Sequence, residues 1–387
     1  FDASVWELFW PLCSGLRLVL ARPDGQRDPQ YLVELIERQQ VNVVQFVPAL
    51  LQQFLDENAS AACGSLTDIV CGGGELTEAL ACQVRERLPQ VRLHNVYGPT
   101  ETTVDCSVWT LEARDPLPSG ALPIGRPIDN TRLYVLDAHD QPVPFGVAGQ
   151  LHIGGAGVTR GYLGLPEQQA ERFIASPFVD GERLYRSGDL VRQRHDGVLE
   201  FLGRTDHQIK LRGLRIEPGE IEACLTRVAG VREAVVLVHD AQPAGPRLVA
   251  YVTGDVPPAE ALREALLGQL PEYMVPALFI PLPALPLTAN GKLDRKALPA
   301  ADLPTRDYEA PAGDTEQLLA RIWSELLGVE RVGRHDNFFE LGGHSLLAVT
   351  LTSRLREAGL EADVRSLFEH PTLAGYAAIT DRMEIVL

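Results

Sequence analysis

Over the first 110 residues, segments with apolar positions three and four apart alternate with short continuous apolar runs. Leu32, Leu35 and Ile36 give Tyr31–Gln40 helical spacing, and the run V-N-V-V-Q-F-V over Val41–Val47 reads as a strand. A helix over Ala49–Leu55, a strand over Leu66–Cys71, a helix over Thr77–Leu88 and a strand over Leu93–Tyr97 continue the alternation. This βαβ order predicts a mainly parallel sheet covered by helices, with ligands gathered at the carboxyl ends of the strands. Two turns fall at such ends: G-G-G-E at Gly72–Glu75 and Y-G-P-T-E at Tyr97–Glu101.

The pattern then changes. Between residues 120 and 205, short β-like runs (Leu133–Leu136, Gln150–Ile153, Val198–Leu202) are broken by Gly, Pro and Asp, which suits a small β-barrel or sandwich. From residue 206 to 298, I-K-L-R feeds an amphipathic helical stretch, R-I-E-P-G-E-I-E-A-C-L. Strands over Val235–Val238 and Leu248–Val252 and a helix over Pro257–Leu270 complete a compact α+β unit. Pro299–Pro311 is rich in Pro, Ala and Asp and reads as a linker. Residues 312–383 read as a small helical bundle, with Leu318, Leu319, Ile322, Trp323, Leu326 and Leu327 on one face and Asp314 with Gln317 as a capping box. Further helices are expected from Ser345 onward and over Asp363–Phe368. The organisation predicted is therefore an α/β region over 1–205, a small α+β region over 206–298, a linker over 299–311 and a helical region over 312–383.

Composition narrows the partners. With 387 residues and 45% hydrophobic content the chain can bury a sizeable core. A net charge of −17 argues against nucleic acid or an anionic membrane as the main partner, because either needs a broad basic surface. Six cysteines are scattered without C-x-x-C pairing, which fits reduced thiols in a cytoplasmic protein. No apolar run reaches the ~18 residues of a membrane span. The chain opens on Phe1 in mid-pattern, which suggests a fragment.

Four short segments carry candidate chemistry. Y-G-P-T-E puts an aromatic face, a hydroxyl and a carboxylate on one turn, able to stack a base, bond a phosphate and hold Mg²⁺, against the bland reading of a Gly-Pro turn. L-Y-R-S-G-D-L places Asp189 after a Ser-Gly turn, where a carboxylate can hold two ribose hydroxyls or simply cap a surface turn. N-G-K-L-D-R presents Lys292 from an Asn-Gly turn, either as a cation reaching an anion or as a solvated hairpin lysine. In D-N-F-F-E-L-G-G-H-S-L-L (Asp336–Leu347), Phe338, Phe339 and Leu341 form an apolar plug and Gly342–Gly343 a turn. Ser345 then opens a helix, as an N-cap or as a hydroxyl held out for modification.

Taken in order, F-D-A-S-V-W, N-V-Y-G-P-T-E, G-Q-L-H-I-G-G-A-G-V-T-R-G-Y, L-Y-R-S-G-D-L, G-R-T-D-H-Q-I-K-L-R-G-L-R-I-E-P-G-E-I-E, L-P-E-Y-M-V-P and N-G-K-L-D-R resemble the serial motifs of nonribosomal peptide synthetase adenylation domains. The segment around Ser345 is similar to the attachment motif of a peptidyl carrier (thiolation) domain. The resemblance implies an α/β and α+β multidomain fold: a truncated large subdomain of an adenylate-forming enzyme (its C-terminal portion, a parallel sheet plus a small β-barrel), a small C-terminal subdomain and an acyl-carrier-like bundle. It implies ATP, Mg²⁺ and a 4′-phosphopantetheine on Ser345. An amino acid would be the substrate, and a phosphopantetheinyl transferase and neighbouring condensation, epimerisation or thioesterase domains the partners.

By the same resemblance, Asp2 pairs with the α-ammonium, and Tyr97 stacks on adenine beside Gly72, Gly73 and Gly74. Thr100 contacts the α-phosphate and Glu101 helps hold Mg²⁺. Asp189 binds the ribose with support from Arg204, and Lys292 bridges carboxylate, ribose oxygen and phosphate. Asp206 matches a hinge whose rotation withdraws Lys292 before thioester formation. Asp302 ties the linker to the small subdomain. Adenylation domains also carry a Ser/Thr/Gly-rich loop ending in Lys ahead of the F-D-x-S motif. No such loop follows Phe1, so the chain alone is expected to be nearly inactive in ATP–pyrophosphate exchange.

The amino-acid pocket implied consists of Asp2, Ala3, Trp6, Gln45, Val70, Gly72, Val96, Val104, Asp105 and Lys292. It is an apolar sleeve holding one amide and one carboxylate, and buried polar groups require partners. A glutamine side chain supplies both, accepting from Gln45 and donating to Asp105. Glutamate would set like charges together, and leucine would leave Asp105 unpaired. Three other readings compete. An acyl-CoA ligase or luciferase-like enzyme shares the nucleotide motifs but lacks a fused carrier. A serine hydrolase would want Gly where Leu347 stands. A carrier-only remnant would not keep the site residues intact.

Overall fold

A computed structural model describes residues 2–23, 25–57, 63–117, 122–206, 208–241, 245–288, 293–300, 308–343, 345–361 and 364–382. Lys292 and Asp302 lie outside these residues, and Ser345 is described by its backbone alone. The chain divides into two compact units, Phe1–Leu214 and Arg215–Leu387.

In the first unit the expected alternation is present. The helix Pro29–Gln39 starts where Asp28 accepts the Tyr31 N–H and Pro29 occupies the first turn, a position that needs no amide donor. Thr77 caps the helix Glu78–Arg87 in the same way through the Leu80 N–H. Strands Val43–Phe46, Asp68–Cys71 and Arg92–Tyr97 pair in parallel, and Ser107–Leu111 and Arg126–Pro127 extend the sheet antiparallel. Successive strand residues face opposite sides. Phe46, Ile69, Cys71 and Leu93 therefore pack with Leu51, Phe54, Leu55 and Leu80 of the helices, while Gln45, Val70, His94 and Val96 share the other face.

The β-rich region forms one antiparallel sheet in the order Leu199–Arg204, Arg183–Gln193, Ala148–Gly155, Thr131–Leu136, with Phe173–Ala175 beside Arg183–Gln193. A helix over Ser4–Cys13, not expected from the pattern, exposes Leu8, Phe9, Trp10 and Leu12. Its apolar residues are distributed all round, so no single stripe announced it.

In the second unit, strands Val231–Ala241, Gly245–Gly254 and Leu278–Leu282 carry the helices Pro218–Leu225 and Ala259–Leu267. The Tyr251 hydroxyl donates to the Pro299 carbonyl at 2.6 Å, pinning Pro299 to this sheet. The helical region comprises Gly313–Leu327, Ser345–Glu357, Val364–Glu369 and an additional helix, Leu373–Ile379. Trp323, Phe338, Leu351, Leu355 and Tyr376 are fully buried in its core. The expected capping box is not formed. The helix begins one residue before Asp314, and Glu316 instead accepts the Ala312 N–H at 2.7 Å. The apolar plug is formed, and it explains Gly343: a Cβ there would stand 2.2 Å from the Phe338 ring. Among the described residues no helix is long and apolar enough to cross a membrane.

Candidate functional site

The centre of the first unit is a bulge in the strand Arg183–Gln193. Its partners run Gln150↔Leu190 and then His152↔Arg186, so two extra residues are looped into the bulged strand around Ser187-Gly188-Asp189. The S-G-D segment is therefore a strand irregularity and not the Ser-Gly turn expected from sequence. Bulges of this kind re-aim side chains beside functional sites. Gly188 has φ +76°, and a Cβ there would meet Asp206 at 2.6 Å and Arg204 at 2.8 Å. Glycine is what lets those two side chains close over the bulge.

Asp189, 2% exposed, accepts from the Tyr97 hydroxyl on one oxygen and from Arg204 on the other. Arg204 also donates through Nε to Asp206 at 2.7 Å and through a second nitrogen to the Ser187 carbonyl at 3.1 Å. Arg172 reaches Asp206 at 3.2 Å. Burial works against ionised Asp206, yet the Arg204 hydrogen bonds and charge, with help from the Gln208 N–H and Arg172, carry its pKa below the ordinary value. Burial and the Asp189 charge push the Tyr97 hydroxyl far up, so it remains a donor. Lys210 lies 5.4 Å over the Tyr97 ring. Tyr97, 92 residues before Asp189, thus joins Asp189, Arg204 and Asp206 in one connected network.

The Y-G-P-T-E turn continues from Tyr97. Gly98 is required because the chain curls back: a Cβ would lie 2.2 Å from the Val104 carbonyl oxygen. Thr100–Thr102 forms one 3₁₀ turn, after which Thr103 (φ +63°) and Val104 (φ +72°) both adopt left-handed conformations. That backbone is costly for a β-branched residue. The Thr103 hydroxyl, donating to the Gly157 carbonyl at 2.7 Å, helps hold it. The Thr100 hydroxyl donates to Asp2 at 2.6 Å, bringing together two residues expected to serve ammonium and phosphate. Glu101 is buried, accepts from the Tyr162 hydroxyl at 2.5 Å, and is tied through its own carbonyl to the Thr159 N–H.

The remaining pocket positions follow from sheet register. Gln45 stands opposite Val70, and Val70 opposite His94, on the face away from the helical core. Gly72 stands against Val96, where a Cβ would meet the valine methyl at 2.6 Å. Among the described residues, the buried Gln45 Oε1 and Trp6 Nε1 have no hydrogen-bond partner. Burial, with the Asp2 charge second, raises the Asp105 pKa from 3.8 to about 6. Gly73 takes a left-handed conformation (φ +78°), Gly74 packs near Pro48 and Ala3 is buried at the helix start. Sequence reasoning did not single out Tyr162, Ser187 or Arg172. Tyr162 closes the quoted G-A-G-V-T-R-G-Y motif, which was its available signal.

The donor set suits Mg²⁺. Among the described residues no three His, Cys, Asp or Glu side chains converge. A single buried carboxylate is what a cation shared with substrate phosphates and waters requires.

Three family models match the chain. They are an AMP-binding enzyme over residues 1–163, an AMP-binding enzyme C-terminal domain over 220–292, and a phosphopantetheine attachment site over 317–379. Phosphinothricin tripeptide synthetase PhsB of Streptomyces viridochromogenes is 49% identical, aligned over 97% of this chain and 32% of its own length. Tyrocidine synthase 3 of Brevibacillus parabrevis is 47% identical over 98% of this chain and 6% of its own. The chain therefore spans a third or less of these relatives. Among solved structures, holo-PA1221, a protein with adenylation and PCP domains bound to a vinylsulfonamide inhibitor, is 32% identical. It aligns with a TM-score of 0.72 over 91% of this chain and 59% of its own. IdnL1 aligns at 28% identity with a TM-score of 0.66, over 74% of this chain and 59% of its own. Motifs, fold and relatives agree: the chain belongs to the nonribosomal peptide synthetase family, with an adenylation region followed by a carrier region.

Proposed function

We propose that, within its complete module, this chain activates L-glutamine with ATP as the aminoacyl adenylate and transfers it as a thioester to phosphopantetheine on Ser345. Activation joins a carboxylate oxygen to the α-phosphorus and releases pyrophosphate. Transfer then joins the arm's sulfur to the acyl carbon and releases AMP. Mg²⁺ would offset the phosphate charge during the first step. Tyr97 supplies a face for the adenine and Asp189 accepts from the ribose, held in place by Arg204. Asp2 and Thr100, which satisfy one another at 2.6 Å, separate to meet the ammonium and the α-phosphate. Glu101 holds the metal, and Lys292 accompanies the charge that moves from carboxylate to phosphate. Asp206 acts as the hinge. A phosphopantetheinyl transferase arms Ser345, and neighbouring condensation, epimerisation or thioesterase domains receive the product.

The observation that carries the nucleotide reading is the network joining Tyr97 to Asp189 and Arg204. For the side chain, the support is the unpartnered Gln45 Oε1 and the burial of the Asp105 carboxyl. A primary amide carries donors and an acceptor, so it can satisfy Gln45 in either orientation while donating to Asp105. A carboxyl with pKa about 6 is mostly ionised at neutral pH, which sets it against glutamate.

The Ser/Thr/Gly-rich phosphate loop of such domains does not occur between Phe1 and Leu387. We accordingly expect weak pyrophosphate exchange from this segment alone, and the test belongs to the full-length protein. An amino-acid panel in pyrophosphate exchange should show glutamine preferred over glutamate and leucine by at least ~10-fold, from one or two buried hydrogen bonds. An aliphatic preference would discard glutamine.

A further inference from the structure

Tyr162 lies outside every role described above, yet it touches the carboxylate proposed to hold Mg²⁺. Its hydroxyl donates to Glu101 Oε1 at 2.5 Å and lies 3.5 Å from the Tyr185 hydroxyl. The ring is wedged edge-on against Phe173, with centroids 5.4 Å apart. The loop carrying it is fastened to the same turn at further points: the Thr159 N–H donates to the Glu101 carbonyl at 2.9 Å, and the Thr103 hydroxyl donates to the Gly157 carbonyl. The close approach of Gly157, where a Cβ would lie 2.6 Å from the Thr102 carbonyl oxygen, brings this loop against the turn. Both backbone and side chain of Glu101 are therefore gripped by residues 157–162.

We propose that Tyr162 is a positioning residue for the metal: its phenol holds the Glu101 carboxylate in one rotamer, so Mg²⁺ meets a ligand already oriented. This rests on the reading of Glu101 as a metal ligand. The physical reason is the entropy of a free carboxylate, whose rotation must otherwise be stopped when the cation arrives. Outer partners of metal ligands act in this way, and removing one typically weakens metal affinity ~10–100-fold. The hydroxyl also gives this buried carboxylate a neutral donor, so its negative charge stays available to the cation.

The experiment uses the full-length protein with Tyr162→Phe, which keeps the ring packing and removes only the oxygen. Mn²⁺ serves as the probe, its binding read by electron paramagnetic resonance in the presence of a non-hydrolysable ATP analogue. Mn²⁺ affinity should fall about 10-fold. The Mg²⁺ concentration for half-maximal pyrophosphate exchange should rise in step, while the rate at saturating Mg²⁺ stays within about 2-fold. Glu101→Gln separates the two levels of the argument. If Glu101→Gln binds Mn²⁺ like the parent, the metal-ligand reading fails and the inference with it. If Glu101→Gln loses Mn²⁺ while Tyr162→Phe binds it like the parent, Tyr162 is packing alone and the inference is overturned. Adding Tyr162→Phe to Glu101→Gln should change nothing more, because the phenol acts only through that carboxylate.

Discussion

The proposed nucleotide side and the proposed amino-acid side of the site differ in how their polar groups are satisfied. Around Asp189 the protein supplies partners itself: Tyr97 and Arg204 take the two oxygens, and Arg204 and Arg172 neutralise Asp206. In the amino-acid pocket the Gln45 Oε1 is unpartnered and Asp105 is pushed up to about 6. The part that would hold the ribose and adenine is assembled in advance. The half that would choose a side chain leaves a polar demand for the ligand to meet. Preorganisation suits chemistry common to all substrates, whereas an unmet demand discriminates among them, since a wrong ligand leaves it unmet at a cost of ~1–3 kcal/mol.

The comparison breaks most visibly at Asp189. Asp189→Ala leaves the Arg204 guanidinium and the Tyr97 hydroxyl without their shared acceptor in a buried setting. Unfolding in urea should show the first unit destabilised by ~3–5 kcal/mol. A loss under ~1 kcal/mol would mean the network is not preassembled.

Asp105 should behave in the opposite sense. Its folded pKa of about 6 lies above the ordinary 3.8, so its stabilising contribution is full below about pH 4 and is lost as pH rises through about 6. At pH 8 the ionised carboxyl costs on the order of 1–3 kcal/mol. Asp105→Asn should therefore melt higher than the parent at pH 8 and show no such gain at pH 4. A gain of equal size at both pH values would contradict the pocket's electrostatics. The smallest effect concerns the strained turn at Val104. Val104→Gly relieves a left-handed valine and should stabilise by on the order of 1 kcal/mol in the same melts, while loosening side-chain selection.

How far the site could be seen in the sequence depended on the kind of signal. The parallel strands were legible from their apolar runs, and register then put Gln45 beside Val70 and Gly72 beside Val96 without further information. Asp189 was found by its motif, but its setting was misjudged, because a Gly between Ser and Asp signals a turn and a strand bulge equally well. The capping box at Asp314 was misplaced because the helix starts at Gly313, with Ala312 at the N-cap position and Glu316 accepting the Ala312 N–H. Tyr162 lay inside a quoted motif, but its role was not legible: its partner Glu101 lies 61 residues away, and no local pattern records such a contact. Helices with a clean apolar stripe, such as Gly313–Leu327, were legible; Ser4–Cys13, apolar all round, was not.

In the function proposed above, these parts serve Ser345, which opens the helix Ser345–Glu357. The direct test is intact-mass measurement of the protein after incubation with a phosphopantetheinyl transferase and coenzyme A, for the parent and for Ser345→Ala. The parent should gain one phosphopantetheine and Ser345→Ala none. A parent of unchanged mass, or an adduct that survives in Ser345→Ala, would contradict the carrier role of Ser345.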